Sequence, residues 1–447
     1  MTKENPSDDT LNERERDPWF NPGLSPASSE RAHEVVVPVV TAVERYKRRR
    51  ALKAKDKLTL YKVLIPLVTN LIHHHLTGSR GQGIPVPRSN KELGKKGNRY
   101  RPFSFPRSFP KMLDAMRALG FAKVTIGKYS GIPGQSKLTT VKAGPKLIQL
   151  ITEHNVKLED LSAGDAEEII ILKRPKHGYW DEGERVDYRD TPTTQRFRDE
   201  LRAINSWLVK ADIRFDATAY HRPVNVQARK LHRNFTLGRF DRGGRLFGGF
   251  WESLLKPARL LEIRIDGERV VGLDYSQVNP LLAYHVAEAD PPQGDAYTLP
   301  GLEDHRDGVK KVFNAMLFNY PVTIFPKGSR ALFPRKIKCD AVTSAILLRH
   351  PKLKGVLSSR EIGHQLQFLE SEIMMGVLRE CLMEHIVALP VFDSVVVKAS
   401  EEHTVREIMR REFKTVTGLN VTVKREIPQA KGQQIVVKEE IDPSSGL

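Results

Sequence analysis

Residues 270–285 read VVGLDYSQVNPLLAYH, and the rest of the chain is organised around them. Val270 and Val271 are β-branched and lead through Gly272 and Leu273 to Asp274. A polar turn follows, and Val278, Leu281, Leu282 and Tyr284 then recur at helical spacing. The pattern predicts a strand ending in a carboxylate, a turn and a helix. A carboxylate at a strand end is held rigidly at a sheet edge, where it can face a metal ion. Residues 386–398, IVALPVFDSVVVK, answer it. Asp393 stands between two apolar, β-rich runs, at or near the tip of an expected hairpin. Two carboxylates from separate strands, brought together, can bind a pair of Mg²⁺ ions for in-line phosphoryl chemistry.

These stretches carry a resemblance. LDYSQ at 273–277 is similar to motif A of family A DNA polymerases, and VFDSVVV at 391–397 resembles their motif C. Between them HRDGVKKVFNAMLFN, 305–319, resembles motif B on the fingers helix, with Arg306, Lys310 and the aromatic Phe318 in its key places. TLGR at 236–239 is similar to the Thr-Gly-Arg element that precedes motif A. Order and rough spacing agree over about 190–430. Three positions depart from the family. Asn279 stands where the family has a Glu that helps exclude ribonucleotides, so the sugar choice stays open. Phe318-Asn319 replaces a Tyr followed by Gly. Phe392-Asp393-Ser394 replaces His-Asp-Glu and is closer to single-subunit, phage-type RNA polymerases.

The resemblance implies a palm and abbreviated fingers, with little room for a full thumb. It implies that Asp274 and Asp393 hold two Mg²⁺ ions. Lys310 and Arg306 would bind the β- and γ-phosphate oxygens of a nucleoside triphosphate, and Lys310 would donate a proton to pyrophosphate. Phe318 would stack near the nascent pair, Asn279 would line the sugar pocket, and Tyr275 and Arg239 would complete the substrate-binding set. Gln365 or Gln367, on the helix before motif C, would reach the primer-template minor groove.

The net charge is +18, which favours phosphate-rich partners. It is concentrated: residues 41–150 hold 24 Lys and Arg against 4 Asp and Glu, a balance of +20. Two cysteines, Cys339 and Cys381, give neither a disulfide framework nor a zinc pattern, and a cytoplasmic location is expected. No apolar run reaches the ~18–20 residues that a bilayer crossing needs, so no membrane partner is expected.

Along the chain, residues 1–40 are read as a disordered tail, rich at their start in Asn, Asp, Glu, Pro and Ser. Residues 41–156 give a helix over Leu58–Leu76, a short helical pattern at Ser89–Lys95 and a third helix within Phe103–Leu119. Strands at Phe121–Ile126 and Leu138–Val141 and a last helix at Ala143–Ile151 complete the block. Three helices and a basic hairpin follow the order of a winged helix, whose third helix would lie in the major groove of duplex DNA. Arg99, Arg101, Arg107 and Lys111, with Lys128 and Lys137 on the wing, are the candidate DNA contacts. Residues 157–190 read as a linker carrying a strand at Ile169–Leu172, and 431–447 as a C-terminal tail. Within 231–251, Arg233, Arg239, Arg242 and Arg245 alternate with aromatics and glycines, a pattern that suits phosphate pairing.

The expected fold class is α+β, a winged helix followed at 191–430 by a polymerase palm of antiparallel sheet with helices. The expected function is template-directed nucleotidyl transfer, a DNA polymerase acting on duplex and primer-template DNA in replication of a DNA element. An RNA polymerase or primase, and a non-catalytic replication initiator or repressor, are the alternatives.

Overall fold

Two hydrophobic cores organise the chain, one drawn from residues 32–161 and one from 170–423. The computed structural model describes residues 20–26, 29–46, 51–77, 83–89, 93–94, 99–100, 105–127, 138–163, 168–175, 183–216, 220, 224–359 and 361–426. The fold is mixed α+β, with helices and several antiparallel sheets.

The first core contains a helix that the sequence reading missed. Glu30–Arg45 is helical and buries Ala32, Val35, Val36, Val39, Val40 and Val43. Residues 30–40 therefore belong to this core and not to a disordered tail. The run EVVVPVV looks unhelical because it is β-branched and holds Pro38, yet its apolar positions recur at helical spacing, and burial overrides the weak local propensity. Helices Ala54–Leu76, Phe109–Ala118 and Pro145–Glu153 complete the core with the strands Ile84–Pro85, Ala122–Thr125 and Thr140–Ala143.

The second core is built on an antiparallel sheet whose central strand is Glu268–Tyr275. One edge of this strand pairs with Ser394–Lys398, which continues to Leu389–Val391. The other edge pairs first with Ile263–Ile265 and then with Val423–Glu426. Val270, Val271 and Leu273 are buried, as a strand with neighbours on both edges and helices against it requires. The two-residue loop Asp266–Gly267 has positive φ at both positions, 51° and 79°, the conformation that matches the twist of a tight hairpin.

A smaller sheet joins Ile170–Leu172, parallel to His232–Phe235, with Gly243–Phe247 antiparallel to the latter. The segment read as a linker is therefore a structural member of the second core. It also ties the two cores together. Glu168 accepts a bidentate pair from Arg198 at 3.1 and 3.1 Å and a third bond from Arg99 at 2.9 Å. Arg99 further reaches Asp187 and Asp190, and its guanidinium lies 4.0 Å from the centre of the Tyr188 ring. The neighbouring Tyr100 hydroxyl donates to the Val186 carbonyl and accepts from the Leu172 amide.

Glu168 and Arg198 are both buried, with side chains 8% and 6% exposed. Glu168→Gln removes the buried acid that Arg198 and Arg99 share, leaving them the more exposed Asp190 and Asp187, and is expected to cost on the order of 3 kcal/mol. Asp187→Asn, at a side chain 60% exposed, is expected to cost under about 1 kcal/mol. Urea denaturation of both variants measures the difference, and equal losses would remove Glu168 from this role.

Candidate functional site

The pairing register sets the site. Asp274 stands opposite Ser394, so Asp393, one residue earlier, flanks it at the same end of the sheet. The Asp393 carbonyl accepts a bond from the Tyr275 amide at 3.4 Å. Val391 pairs with Ser394, which leaves Phe392 and Asp393 as a two-residue turn. Ser394 closes that turn by donating from Oγ to the Val391 carbonyl at 2.9 Å. Phe392 has φ 57°, a left-handed conformation that costs a bulky residue about 1–2 kcal/mol. Its ring is held edge-on to Phe247 at 5.7 Å and lies 5.2 Å from the Arg245 guanidinium.

Charge around the two acids is uneven. Burial, then the charges of Asp393 and Glu426, push the Asp274 carboxyl up to about 7, against the pull of Lys256 and Lys310. Burial also raises Asp393, opposed by Arg245 and Lys310. Glu370 is pushed up to about 7 by burial, although Arg245 binds it through two bonds of 2.7 Å. Two carboxylates held side by side away from water repel, and a divalent cation relieves that repulsion.

Among the described residues no three His, Cys, Asp or Glu side chains form a metal cage. Mg²⁺ does not ask for one: it takes one or two carboxylates and fills its remaining positions with water and phosphate oxygens. The hard oxygens of Asp274 and Asp393, disfavoured as a bare pair, fit that ion.

Lys310 lies on the helix Arg306–Met316, is exposed, and exerts its charge on both acids. Among the described residues it makes no hydrogen bond or ion pair. Asn279, on the helix Val278–Val286, donates to Asn314 Oδ1 at 3.0 Å. Asn314 is one helical turn beyond Lys310, so this bond fixes the two helices against each other beside the acids.

Other expected residues are placed elsewhere. Tyr275 is a core residue and not a substrate contact. It follows Asp274 in a strand, so it points to the opposite face, where its hydroxyl donates to the Met409 carbonyl at 2.7 Å. Arg306 is held by Asp295 at 2.7 Å and lies over the Tyr297 ring. Phe318 follows the end of the Arg306–Met316 helix and rests on Gly363 and His364. Gln365 lines an open cleft of 570 Å³ with Tyr284, His285 and Thr417, which contains neither acid.

The arginine-rich stretch is neutralised internally. Arg239 pairs with Asp241 and Glu361, Arg242 with Glu361, Arg245 with Glu370 and Arg233 with Glu372. Three of those acids lie on or beside the long helix Ile362–Met383. Arg233 is fully buried, so phosphate pairing is not its role. Arg99 likewise is taken up by Glu168, Asp187 and Asp190 and is not a free DNA contact. Arg107 and Lys111 are exposed at the start of the helix Phe109–Ala118. Arg101, Lys128 and Lys137 lie outside the described residues. The residues missed from sequence are Glu370, Lys256 and Glu426, which act on the acid pair from segments far apart in the chain; Arg245, expected to pair phosphate, binds Glu370 instead.

A carboxyl with a raised folded-state pKa stabilises the fold below the ordinary carboxylate range and loses that stabilisation as pH climbs toward its folded value. In chelator, the melting temperature of the native chain is therefore expected to fall between about pH 4 and about pH 7. Asp274→Asn should flatten the fall and melt a few degrees higher at the upper pH. Parallel curves for the two proteins would contradict it.

No family model matches the chain, and no curated protein matches it. Among described residues, no helix is long and apolar enough to cross a membrane. Among solved structures, the chain is similar to the POL domain of Pol1 from M. smegmatis in complex with DNA primer-template and dNTP. The identity is 12% over 52% of this chain and 51% of that one, with a TM-score of 0.29, so the chain spans about half the length of that structure.

Proposed function

We propose that the chain is a template-directed nucleotidyltransferase, a DNA polymerase of the family A type that extends a primer in replication of a DNA element. The observation that carries this reading is the strand register that sets Asp274 beside Asp393, under the free charge of Lys310. Asp274 and Asp393 would hold Mg²⁺, as two ions in the full reading. When bound, Mg²⁺ neutralises triphosphate charge and makes the primer 3′-hydroxyl more acidic.

The chain's own residues do the rest. The acids sit at the end of a strand paired on both edges, so their oxygens are fixed before a substrate arrives. Lys310 is positioned to meet a phosphate oxygen as negative charge builds on the leaving pyrophosphate, and its ammonium can give up a proton there. The Asn279–Asn314 bond keeps the helix carrying Lys310 at a fixed distance from the strand carrying Asp274.

Primer extension on a primed template tests this directly, and running it with dNTP and rNTP in parallel reads the sugar choice. Lys310→Ala is expected to lower turnover by about a hundredfold, the cost of one lost electrostatic stabiliser, with little change in template binding. Wild-type extension by that variant would remove Lys310 from the chemistry.

The first core, read from sequence as a winged helix and spanning the +20 block, is proposed to bind duplex DNA. Binding by the full chain, read by fluorescence anisotropy, should weaken steeply between about 50 and 200 mM salt. Arg107→Ala and Lys111→Ala should each reduce the log–log salt slope by about one if each neutralises a phosphate. Salt-independent binding would point to protein docking instead.

A further inference from the structure

Val423–Glu426 pairs with the central strand so that Glu426 faces Gly272 and Lys424 faces Asp274. Cross-strand partners share a sheet face, as do residues two apart in one strand. Glu426, Gly272 and Asp274 therefore lie on one face. Gly272 leaves room that no other residue would: a Cβ there would strike the Glu426 Oε2. The Glu426 carboxylate thus lies across the strand, beside Asp274. Its side chain is nine-tenths buried, and Oε1 is held by the Lys256 ammonium at 2.6 Å. Oε2 is buried and has no hydrogen-bond partner among the described residues. Buried polar atoms are rarely left so, because desolvation without a partner is costly. The charge of Glu426 is also felt by both Asp274 and Asp393.

We propose that Glu426 is a positioning residue of the acid pair: its Oε2 accepts a hydrogen bond from a water molecule bound to a divalent cation at Asp274 and Asp393. Lys256 holds the other oxygen and so aims the carboxylate. Such a contact needs no three-residue cage, of which there is none among the described residues, since Glu426 touches the ion's water and not the ion. It makes Glu426 a third acid supplied by the last described strand, far in sequence from both others. The inference rests on the proposed metal-binding role of the acid pair.

The test is Mn²⁺ binding to the full-length chain, read from the electron paramagnetic resonance signal of the free ion, with circular dichroism to confirm folding. Glu426→Gln is expected to weaken Mn²⁺ binding on the order of tenfold, as loss of an outer-shell partner does. Gly272→Ala, which displaces the Glu426 carboxylate while keeping its charge, should act in the same direction and serves if Glu426→Gln does not fold. If Glu426 were only the ion-pair partner of Lys256, both variants would lower stability alike and leave Mn²⁺ affinity unchanged. Asp274→Asn separates the two levels. Loss of binding in Asp274→Asn with wild-type binding in Glu426→Gln overturns the role of Glu426 alone. Unchanged binding in both overturns the metal-binding reading of the acid pair as well.

Discussion

The site depends on one register, the antiparallel pairing of Glu268–Tyr275 with Ser394–Lys398. With Asp274 opposite Ser394, the hairpin turn delivers Asp393 next to it. A slip by one residue would turn every side chain of one strand to the other face. Such a slip would exchange Asp274 with Tyr275, whose ring is locked against Phe413 at 5.4 Å and whose hydroxyl is bonded to Met409. The aromatic in the core and the acid in the site are thus two consequences of the same alternation, and each excludes the wrong register for the other.

That alternation explains what could be read in advance. The strand, the hairpin and the helices have local signals: β-branched runs, a two-residue turn and apolar residues at helical spacing. Asp274 and Asp393 were legible because each ends or interrupts such a run. Tyr275 was misassigned to the substrate by the resemblance, although period two alone sends it away from Asp274. The arginines were not. Arg233, Arg239, Arg242 and Arg245 look like a phosphate clamp within their own segment. Their partners Glu361, Glu370 and Glu372 arrive more than a hundred positions later, and nothing local announces a long-range ion pair. Arg99 was opaque for the same reason, because Glu168 and Asp190 lie in a segment that composition alone marks as a linker.

Internal pairing also changes the meaning of the basic composition. Several cations that a charge count assigns to the surface are spent on holding elements together. What stays available is a smaller set, of which Lys310 beside the acids and Arg107 and Lys111 on the first core are exposed. Lys310 differs from the arginines in pairing with no carboxylate among the described residues, and its charge acts on both acids.

Glu370 has Arg245 and Glu426 has Lys256, each acid matched by one cation. Asp274 and Asp393 have no such match: Lys310 acts on both, Lys256 also on Asp274 and Arg245 also on Asp393. The Phe392 ring covers Arg245 from the turn and keeps that guanidinium bound to Glu370. Keeping it there requires a left-handed backbone that glycine would adopt without cost. The turn therefore holds a strained residue next to Asp393, and such strain clusters at sites that bind ligands. On the proposed reading, this carboxylate pair on a fixed strand end would take up a cation together with its substrate.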